Sequence, residues 1–142
     1  ALQGTGAVVV KVELECPDEP PQKIRRAMLD DLRERRRKFP RKEPNCGSVF
    51  LSTGEMHASV GPPGKVIEEA GLKGLRIGNA EVSQQHANFI VNRNGASSKD
   101  VLRLIAHIRQ VVKERIGFDL CCEVRYVSPA GDIMPAHLAT NF

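Results

Sequence analysis

The stretch "HANFIVNRNGASSKDVLRLIAHIRQVVKERIG", residues 86–117, predicts a buried strand followed by the longest helix of the chain. Residues 86–92 are rich in side chains that favour strands. Ser97 and Asp100 then have nearly the spacing of a capping box at the start of a helix. The helix continues to Gly117 with one apolar face, formed by Val101, Leu104, Ile105, Ile108, Val112 and Ile116.

Toward the N-terminus, two further patterns predict regular structure. Residues 7–16 alternate apolar and polar side chains, which is typical of a half-buried strand; its apolar face would hold Val8, Val10, Val12 and Leu14. Ile24, Met28 and Leu32 are spaced four apart and predict an amphipathic helix that ends near Arg36, before Phe39-Pro40. Residues 40–64 are predicted to form a loop, and residues 61–71 a short helix that Gly71 caps.

Toward the C-terminus, "LCCEVRYV" (120–127) predicts a last strand with two distinct faces. Glu123 and Arg125 would project from the same face, and Tyr126 from the other. Residues from 128 onward show turn chemistry and no periodicity. The pattern therefore predicts an α+β fold: a single compact domain with a small mixed or antiparallel sheet and about three helices, preceded by the strand at 7–16.

Composition limits the classes of function. A chain of 142 residues suits one domain, and a net charge of +4 suggests an anionic partner. Much of that charge lies in residues 33–42, at the end of a predicted helix, and only 4% of the residues are aromatic, which disfavours nucleic-acid binding. The four cysteines form no CxxC pair, so we expect free thiols, no metal site and a cytoplasmic protein. The longest aliphatic run, residues 7–10, is too short to span a membrane.

Three nucleotide-binding and catalytic motifs fail. "GPPGKV" lacks the first glycine and the final hydroxyl residue of a phosphate loop, because Ser59 and Val66 stand at those positions. "GTGAVV" has Val9 in place of the third glycine of a dinucleotide-binding loop. Ser48 lies outside a nucleophile elbow, and no motif ties a histidine to it. The residues alone predict an α+β domain that binds a polar anionic ligand.

A resemblance extends this reading. "CGSVF", "IEEAGLKGLRIGNAEVSQQHANFIVN", "SSKDVLRLI" and "CEVRYV", in this order, closely resemble the C-terminal domain of UDP-N-acetylenolpyruvoylglucosamine reductase, the MurB family. The resemblance covers roughly residues 24–128. It implies that residues 1–17 are the end of a flavin-binding domain and residues 18–142 a substrate-binding domain. Nearly all of the FAD-binding domain would then precede Ala1, and the chain alone would turn over nothing.

The family's reaction implies roles for particular residues. NADPH reduces FAD, and hydride and a proton then convert UDP-N-acetylglucosamine enolpyruvate to UDP-N-acetylmuramate, a precursor of peptidoglycan. By match to the family's motifs, Ser48 donates the proton and Glu123 assists it. Arg125 would balance the charge of the substrate, and Gly47 would lie near the cofactor. Asn88 and Phe89 are expected to line the substrate pocket or to support it.

One departure affects the substrate site. Many members have Lys-Asn-Pro after the serine motif, where this chain has Leu51, Ser52 and Thr53, followed by an insertion. Ser52 is the expected substrate-binding residue of that segment, and the contacts to the diphosphate are expected to differ from the family's. Two alternatives stay open. Beside the reductase domain, the chain would be either a detached, non-catalytic nucleotide-sugar-binding module, or an anion- or RNA-binding domain that uses Arg33 to Lys42.

Overall fold

A computed structural model describes residues 6–139 of the chain. These residues form two compact units, which divide between Arg33 and Glu34. The first unit contains an extended N-terminal segment and most of helix α1 (Pro21–Lys38). The second unit contains all the other helices and strands. The domain boundary expected after residue 17 stays a prediction, because the division at Arg33 separates compact units and not domains of known function.

The predicted strand at 7–16 is wrong, since these residues lie in no helix or strand. The side chains of Val8 and Val10 are 82% and 95% exposed. A strand exists only where a neighbouring strand accepts and donates its backbone hydrogen bonds. The alternation therefore describes the two faces of an extended segment. It does not show which strand, if any, would pair with its backbone.

Helix α1 confirms the predicted helix, and Lys38 is its last residue. Its apolar stripe is exposed along its whole length, at Ile24, Met28, Leu29 and Leu32. The last turn carries four basic residues, Arg35 to Lys38, and cations at this end of a helix interact favourably with the helix dipole.

The core of the second unit is built on helix α4 (Ser98–Ile116). Both bonds of the predicted capping box are present, between Ser97 and Asp100, and Gly117 ends the helix in the left-handed conformation. The predicted apolar face is largely confirmed; the buried side chains of this helix are Leu102, Leu104, Ile105, Ile108 and Val112. Leu102 is an addition to that face.

A three-stranded antiparallel sheet contributes to this core. Strands β1 (Arg76–Ile77), β2 (Ala80–Val82) and β3 (Ile90–Asn92) lie in the order β1-β2-β3. Helix α3 (Pro63–Glu69) confirms the predicted short helix and contacts α4. Leu72 N–H donates to Ile67 O and Gly71 N–H to Glu68 O, so Gly71 terminates α3 in a Schellman motif.

The predicted loop at 40–64 is wrong in part, because it contains helix α2 (Gly54–Ser59). Thr53 accepts a hydrogen bond from Met56 N–H and caps this helix. The Met56 side chain is 1% exposed and anchors the helix to the core. One buried side chain in six residues gives no periodic signal, which is why the pattern did not reveal it.

The predicted strand at 120–127 is shorter in the structure. Strand β4 is Arg125–Val127, and residues 123–124 form a bend before it. β4 pairs antiparallel with β5 (Ile133–Pro135), and a turn of 3-10 helix follows at Ala136–Leu138. The α+β class and the antiparallel sheet are confirmed, with four α-helices in residues 6–139 where about three were expected.

Candidate functional site

The turn that carries Ser48 is held by its own side chains. Asn45 Oδ1 accepts a hydrogen bond from Gly47 N–H at 2.9 Å, and Asn45 Nδ2 donates to the carbonyls of Pro40 and Glu43. Gly47 has a φ of +85°, a conformation that glycine adopts without steric cost. The half-buried Ser48 therefore follows a turn that is fixed by hydrogen bonds.

Asn88 fixes the chain on the other side of Ser48. Its side-chain oxygen accepts from Phe50 N–H at 2.9 Å and its amide nitrogen donates to Phe50 O at 3.0 Å. Its own carbonyl accepts from Val49 N–H. Asn88 is 5% exposed, so its amide serves the Ser48 loop. Its expected place in the substrate pocket stays a prediction, and the contacts favour the supporting role.

The segment after Ser48 pairs with the segment that carries Glu123. Leu51 N–H donates to Cys121 O, and Phe50 and Cys122 form an isolated antiparallel bridge. Two consecutive N–H groups, of Glu123 and Val124, then donate to one carbonyl, that of Val49. Two residues opposite one is the arrangement of a β-bulge, which redirects side chains next to it. It explains why the predicted strand breaks at Glu123.

Ser48 and Glu123 thus meet at the surface. They line one depression of about 270 Å³ together with Cys46 and Val124. Ser48 is half-buried and Glu123 exposed, so a ligand in the depression would contact a hydroxyl and a carboxylate. The structure brings together the two predicted catalytic residues from positions 75 apart in the sequence.

Arg125 borders a neighbouring cavity of about 380 Å³, which Tyr126 also lines. The two cavities share Cys46 and Val124. The predicted alternation of faces persists through the bend: Leu120 and Cys122 are buried, whereas Cys121, Glu123 and Arg125 are exposed. Arg125 therefore lies beside the depression, in the cavity that adjoins it.

The structure places the other two predicted substrate residues elsewhere. Ser52 Oγ lies 2.7 Å from His57 Nε2, next to the Thr53 cap of α2. Phe89 packs in an aromatic cluster with Phe39 and His86, at ring distances of 5.5 and 5.1 Å. Neither Ser52 nor Phe89 lines the Ser48–Glu123 depression. Their roles toward a substrate stay predictions.

A basic cavity contains part of the segment Arg33 to Lys42, which one of the open alternatives assigned to anion binding, but its wall with Arg93 was not predicted. It measures about 660 Å³, and within the described part of the chain its Arg36, Arg41 and Lys42 form no ion pair. Arg93, also in its wall, is paired with Glu81 and Glu43. Hydrogen bonds to these carboxylates, chiefly Glu81, raise the pKa of Arg93. The network of Arg93 with Glu81 and Glu43 was not predicted, because these residues are far apart in the sequence and form no local pattern.

The thiols near the site are poor nucleophiles. Desolvation raises the pKa of Cys46, and it raises the pKa of Cys122 to about 11. Both groups are therefore neutral at pH 7, and a thiolate is the reactive form of cysteine. Among residues 6–139, no three His, Cys, Asp or Glu side chains are grouped so as to hold a metal ion. No helix of that range is long and apolar enough to cross a membrane.

Comparison with known proteins adds a family to this geometry. A family model described as "UDP-N-acetylenolpyruvoylglucosamine reductase, C-terminal domain" matches residues 39–127. A UDP-N-acetylenolpyruvoylglucosamine reductase 1 of Corynebacterium glutamicum is 49% identical over 136 residues, 96% of this chain and 41% of that protein. A reductase of the same name from Heliobacterium modesticaldum is 44% identical over 92% of this chain and 40% of its own length.

A solved structure shows the same fold. The crystal structure of UDP-N-acetylenolpyruvylglucosamine reductase from Thermus caldophilus matches with a TM-score of 0.53 and 36% identity. The match covers 73% of this chain and 35% of that one. The chain thus spans about 40% of the length of the relatives that it matches.

Proposed function

The chain belongs to the UDP-N-acetylenolpyruvoylglucosamine reductase family, and from that premise we propose that it is the substrate-binding and proton-donating domain of such a reductase. The reaction would convert UDP-N-acetylglucosamine enolpyruvate to UDP-N-acetylmuramate in the cytoplasm, with NADPH as reductant. The observation that carries the proposal is the shared depression of Ser48 and Glu123. The family resemblance implies that both residues are catalytic. They are far apart in the sequence, so only the fold brings them to one depression.

This chain would contact only an edge of FAD and would not enclose it. The depression has four lining residues and opens to solvent, so it suits the approach of a reacting edge and not the binding of a whole dinucleotide. Gly47 leaves its outer side open, since a Cβ there would meet no atom within 4 Å. When bound, FAD supplies hydride to the enolpyruvyl group. We assign its binding mainly to another domain, with Gly47 at the edge of contact.

The part of this chain in the reaction is proton transfer. Hydride addition at one carbon leaves the neighbouring carbon basic enough to take a proton from a hydroxyl, provided that the hydroxyl is fixed at that carbon. The Asn45–Gly47 turn and the Asn88–Phe50 pair hold Ser48 on both sides. Glu123 shares the depression and would orient the Ser48 proton or stabilise the developing charge.

Two groups of cations, one beside the depression and one in the separate basic cavity, suit an anionic substrate. Arg125 lines the adjoining cavity and would balance the enolpyruvyl carboxylate. The basic cavity with Arg36, Arg41 and Lys42 would take the diphosphate, because these side chains are free of ion pairs in the described residues. Ser52 and His57 would replace the contacts of the segment that departs from the family pattern.

The first unit suits contact with another domain. The stripe on α1 and the apolar side chains of residues 8–14 are exposed, and large exposed apolar surfaces usually mark an interface. The relatives have more than half of their length outside the match. We assign these surfaces to a flavin-binding domain, in the same chain or in a partner.

The test is NADPH oxidation by the protein that contains this chain, with the enolpyruvyl substrate. Ser48→Ala should lower kcat by about 10²–10⁴, the range for loss of a positioned general acid. Glu123→Gln should lower kcat less. Ser59→Ala, an exposed serine on α2, is the matched control and should leave kcat unchanged. Wild-type turnover by Ser48→Ala would overturn the assignment.

A non-catalytic nucleotide-sugar-binding module is the second candidate. The departure at Leu51–Thr53 favours it, because Ser52 is engaged with His57 and Thr53 with the α2 cap. Such a module would bind the substrate with an affinity that survives Ser48→Ala and Glu123→Gln. If the wild type and both variants bind the substrate but none of them oxidises NADPH, this candidate is favoured.

A further inference from the structure

The backbone that carries Glu123 is held from two sides. On one side, Glu123 N–H and Val124 N–H donate to Val49 O, in the segment that follows Ser48. On the other side lies a C-terminal segment that consists of β5 (Ile133–Pro135) and the 3-10 turn (Ala136–Leu138). Ala136 N–H donates to Val124 O at 3.0 Å, and His137 Nδ1 accepts from Cys122 N–H at 3.0 Å. The residues immediately before and after Glu123 are thus both bonded to this segment.

The bond to His137 is the one of these contacts that a side chain makes. Because Nδ1 accepts a hydrogen bond, the neutral imidazole must carry its proton on Nε2. Cys122 is 4% exposed, so water has little access to replace the acceptor. A buried N–H without a partner is costly, and the backbone at Cys122 would shift to find one.

We infer that His137 is a positioning residue that fixes the Glu123 carboxylate beside Ser48 by holding the N–H of Cys122. The inference rests on the proposed function, since it takes Glu123 to act in the reaction. It concerns a part of the chain that the family model, which matches residues 39–127, does not include. His137 is ten residues beyond that match and would act through the backbone, without contact to a substrate.

The contact also depends on pH. Burial, and then the Arg109 guanidinium on α4, lower the pKa of His137 from its ordinary value of 6.5. The charged and titratable groups that act on the adjoining Cys122 thiol are Arg109, Cys121 and Cys46, and Arg109 Nε donates a hydrogen bond to Leu120 O at 2.6 Å. Above pH 6.5 the imidazole is neutral and the bond is intact. As the pH falls through the lowered pKa, Nδ1 gains a proton and can no longer accept.

The first arm of the test reads the contact directly, by amide hydrogen exchange of this chain. His137→Leu removes the acceptor, whereas the oxygen of His137→Asn replaces Nδ1 without titrating. We expect the protection factor of the Cys122 amide at pH 8 to fall about tenfold or more in His137→Leu and to stay near wild type in His137→Asn. On acidification the wild type should lose protection and His137→Asn should keep it. Unchanged protection in His137→Leu would overturn the inference.

The second arm reads function, in the protein that contains this chain. His137→Leu should lower kcat about ten- to a hundredfold at pH 8 with KM nearly unchanged, since a small displacement of a catalytic group has effects of that size. His137→Asn should keep the wild-type kcat at pH 8. On acidification its kcat should decrease less than that of the wild type, because the asparagine side chain does not titrate. The control is His107→Asn, an exposed histidine on α4, which should change neither. Wild-type kcat in His137→Leu would overturn the positioning role.

The two arms separate the failure of this inference from the failure of the proposed function. If the wild-type protein does not turn over the enolpyruvyl substrate, the proposed function fails, and the inference about catalysis fails with it. The exchange arm would then still report whether His137 holds Cys122. If the wild type is active and both His137 variants match it, only the inference fails.

Discussion

Helices α1 and α4 have nearly the same length and comparable apolar stripes, yet only one of them is buried. α1 has 18 residues and buries none, whereas α4 has 19 residues and buries five side chains. Strands β1 and β2, helix α3 and the 3-10 turn pack against α4. The comparison shows that periodicity predicts which face of a helix is apolar, while only the neighbouring elements decide whether that face is covered.

The largest expected difference concerns core packing. Leu104→Ala in α4 should lower the free energy of unfolding of the second unit by about 2–5 kcal/mol, because Leu104 is fully buried. Leu32→Ala in α1 should change the stability of the chain by less than about 0.5 kcal/mol. Urea unfolding can be followed by the fluorescence of Tyr126, the one tyrosine of a chain without tryptophan, for the second unit, and by far-UV circular dichroism for α1 in the first.

Equal costs for these two substitutions would contradict the difference between the helices. A large cost for Leu32→Ala would show that the stripe on α1 is already covered in the isolated chain. Far-UV circular dichroism of both variants gives the control, since it detects any loss of α1 itself.

The next effect sharpens the comparison for polar contacts. Asn88→Ala should cost about 2–3 kcal/mol, because it leaves the buried N–H and carbonyl of Phe50 without partners. The matched change in the first unit is Glu19→Gln, which breaks an exposed pair with Lys23 and should cost less than about 0.5 kcal/mol. Urea titrations followed by Tyr126 fluorescence measure the cost of Asn88→Ala, and those followed by far-UV circular dichroism measure the cost of Glu19→Gln. If the Asn88→Ala chain is as stable as the wild type, Asn88 does not hold the Ser48 loop.

Helix capping should give a smaller effect. Ser97→Ala removes one bond of the α4 capping box and should cost about 1 kcal/mol. Ser98→Ala, at the next position and inside the helix, is the control and should be nearly neutral. If the two variants unfold at the same urea concentration, the capping box contributes nothing to the stability of α4.

The smallest effect is one of pH. Burial, followed by Lys38 and Lys73, lowers the pKa of His86, so the folded state binds fewer protons than the unfolded state near pH 6. Stability from this group is therefore complete above about pH 6.5 and falls as the pH drops through the lowered pKa. His86→Gln should reduce the loss of stability between pH 7.5 and pH 5.5 in urea titrations. An unchanged pH dependence would show that His86 does not contribute to it.

Much of the second unit was predictable from its sequence. The spacing of Ser97 and Asp100 and the stripe up to Ile116 predicted α4, and Gly71 predicted the end of α3, because these signals are local in the chain. That Ser48 and Glu123 share one site was only implied by a family resemblance. Pairing between residues 49–51 and 121–124 depends on backbone bonds across the fold, which no local pattern encodes.

The failures have the same origin. The strand expected at 7–16 lacks the neighbour that a strand requires, and the strand expected at 120–127 breaks where Glu123 and Val124 share the Val49 carbonyl. The ion-pair network of Arg93 and the contact of His137 with Cys122 join residues that are 12 to 50 positions apart. Side-chain bonds over such distances become visible only in the folded chain.

Proton donation by Ser48, as proposed, completes the reduction of the enolpyruvyl substrate. The most direct measurement is a pair of stopped-flow experiments on the flavin-containing protein with Ser48→Ala. Reduction by NADPH, read as loss of the visible absorbance, should proceed at the wild-type rate. Return of that absorbance when the substrate is added to the prereduced protein should slow by about 10²–10⁴. A wild-type rate for this second step would show that Ser48 is not the proton donor.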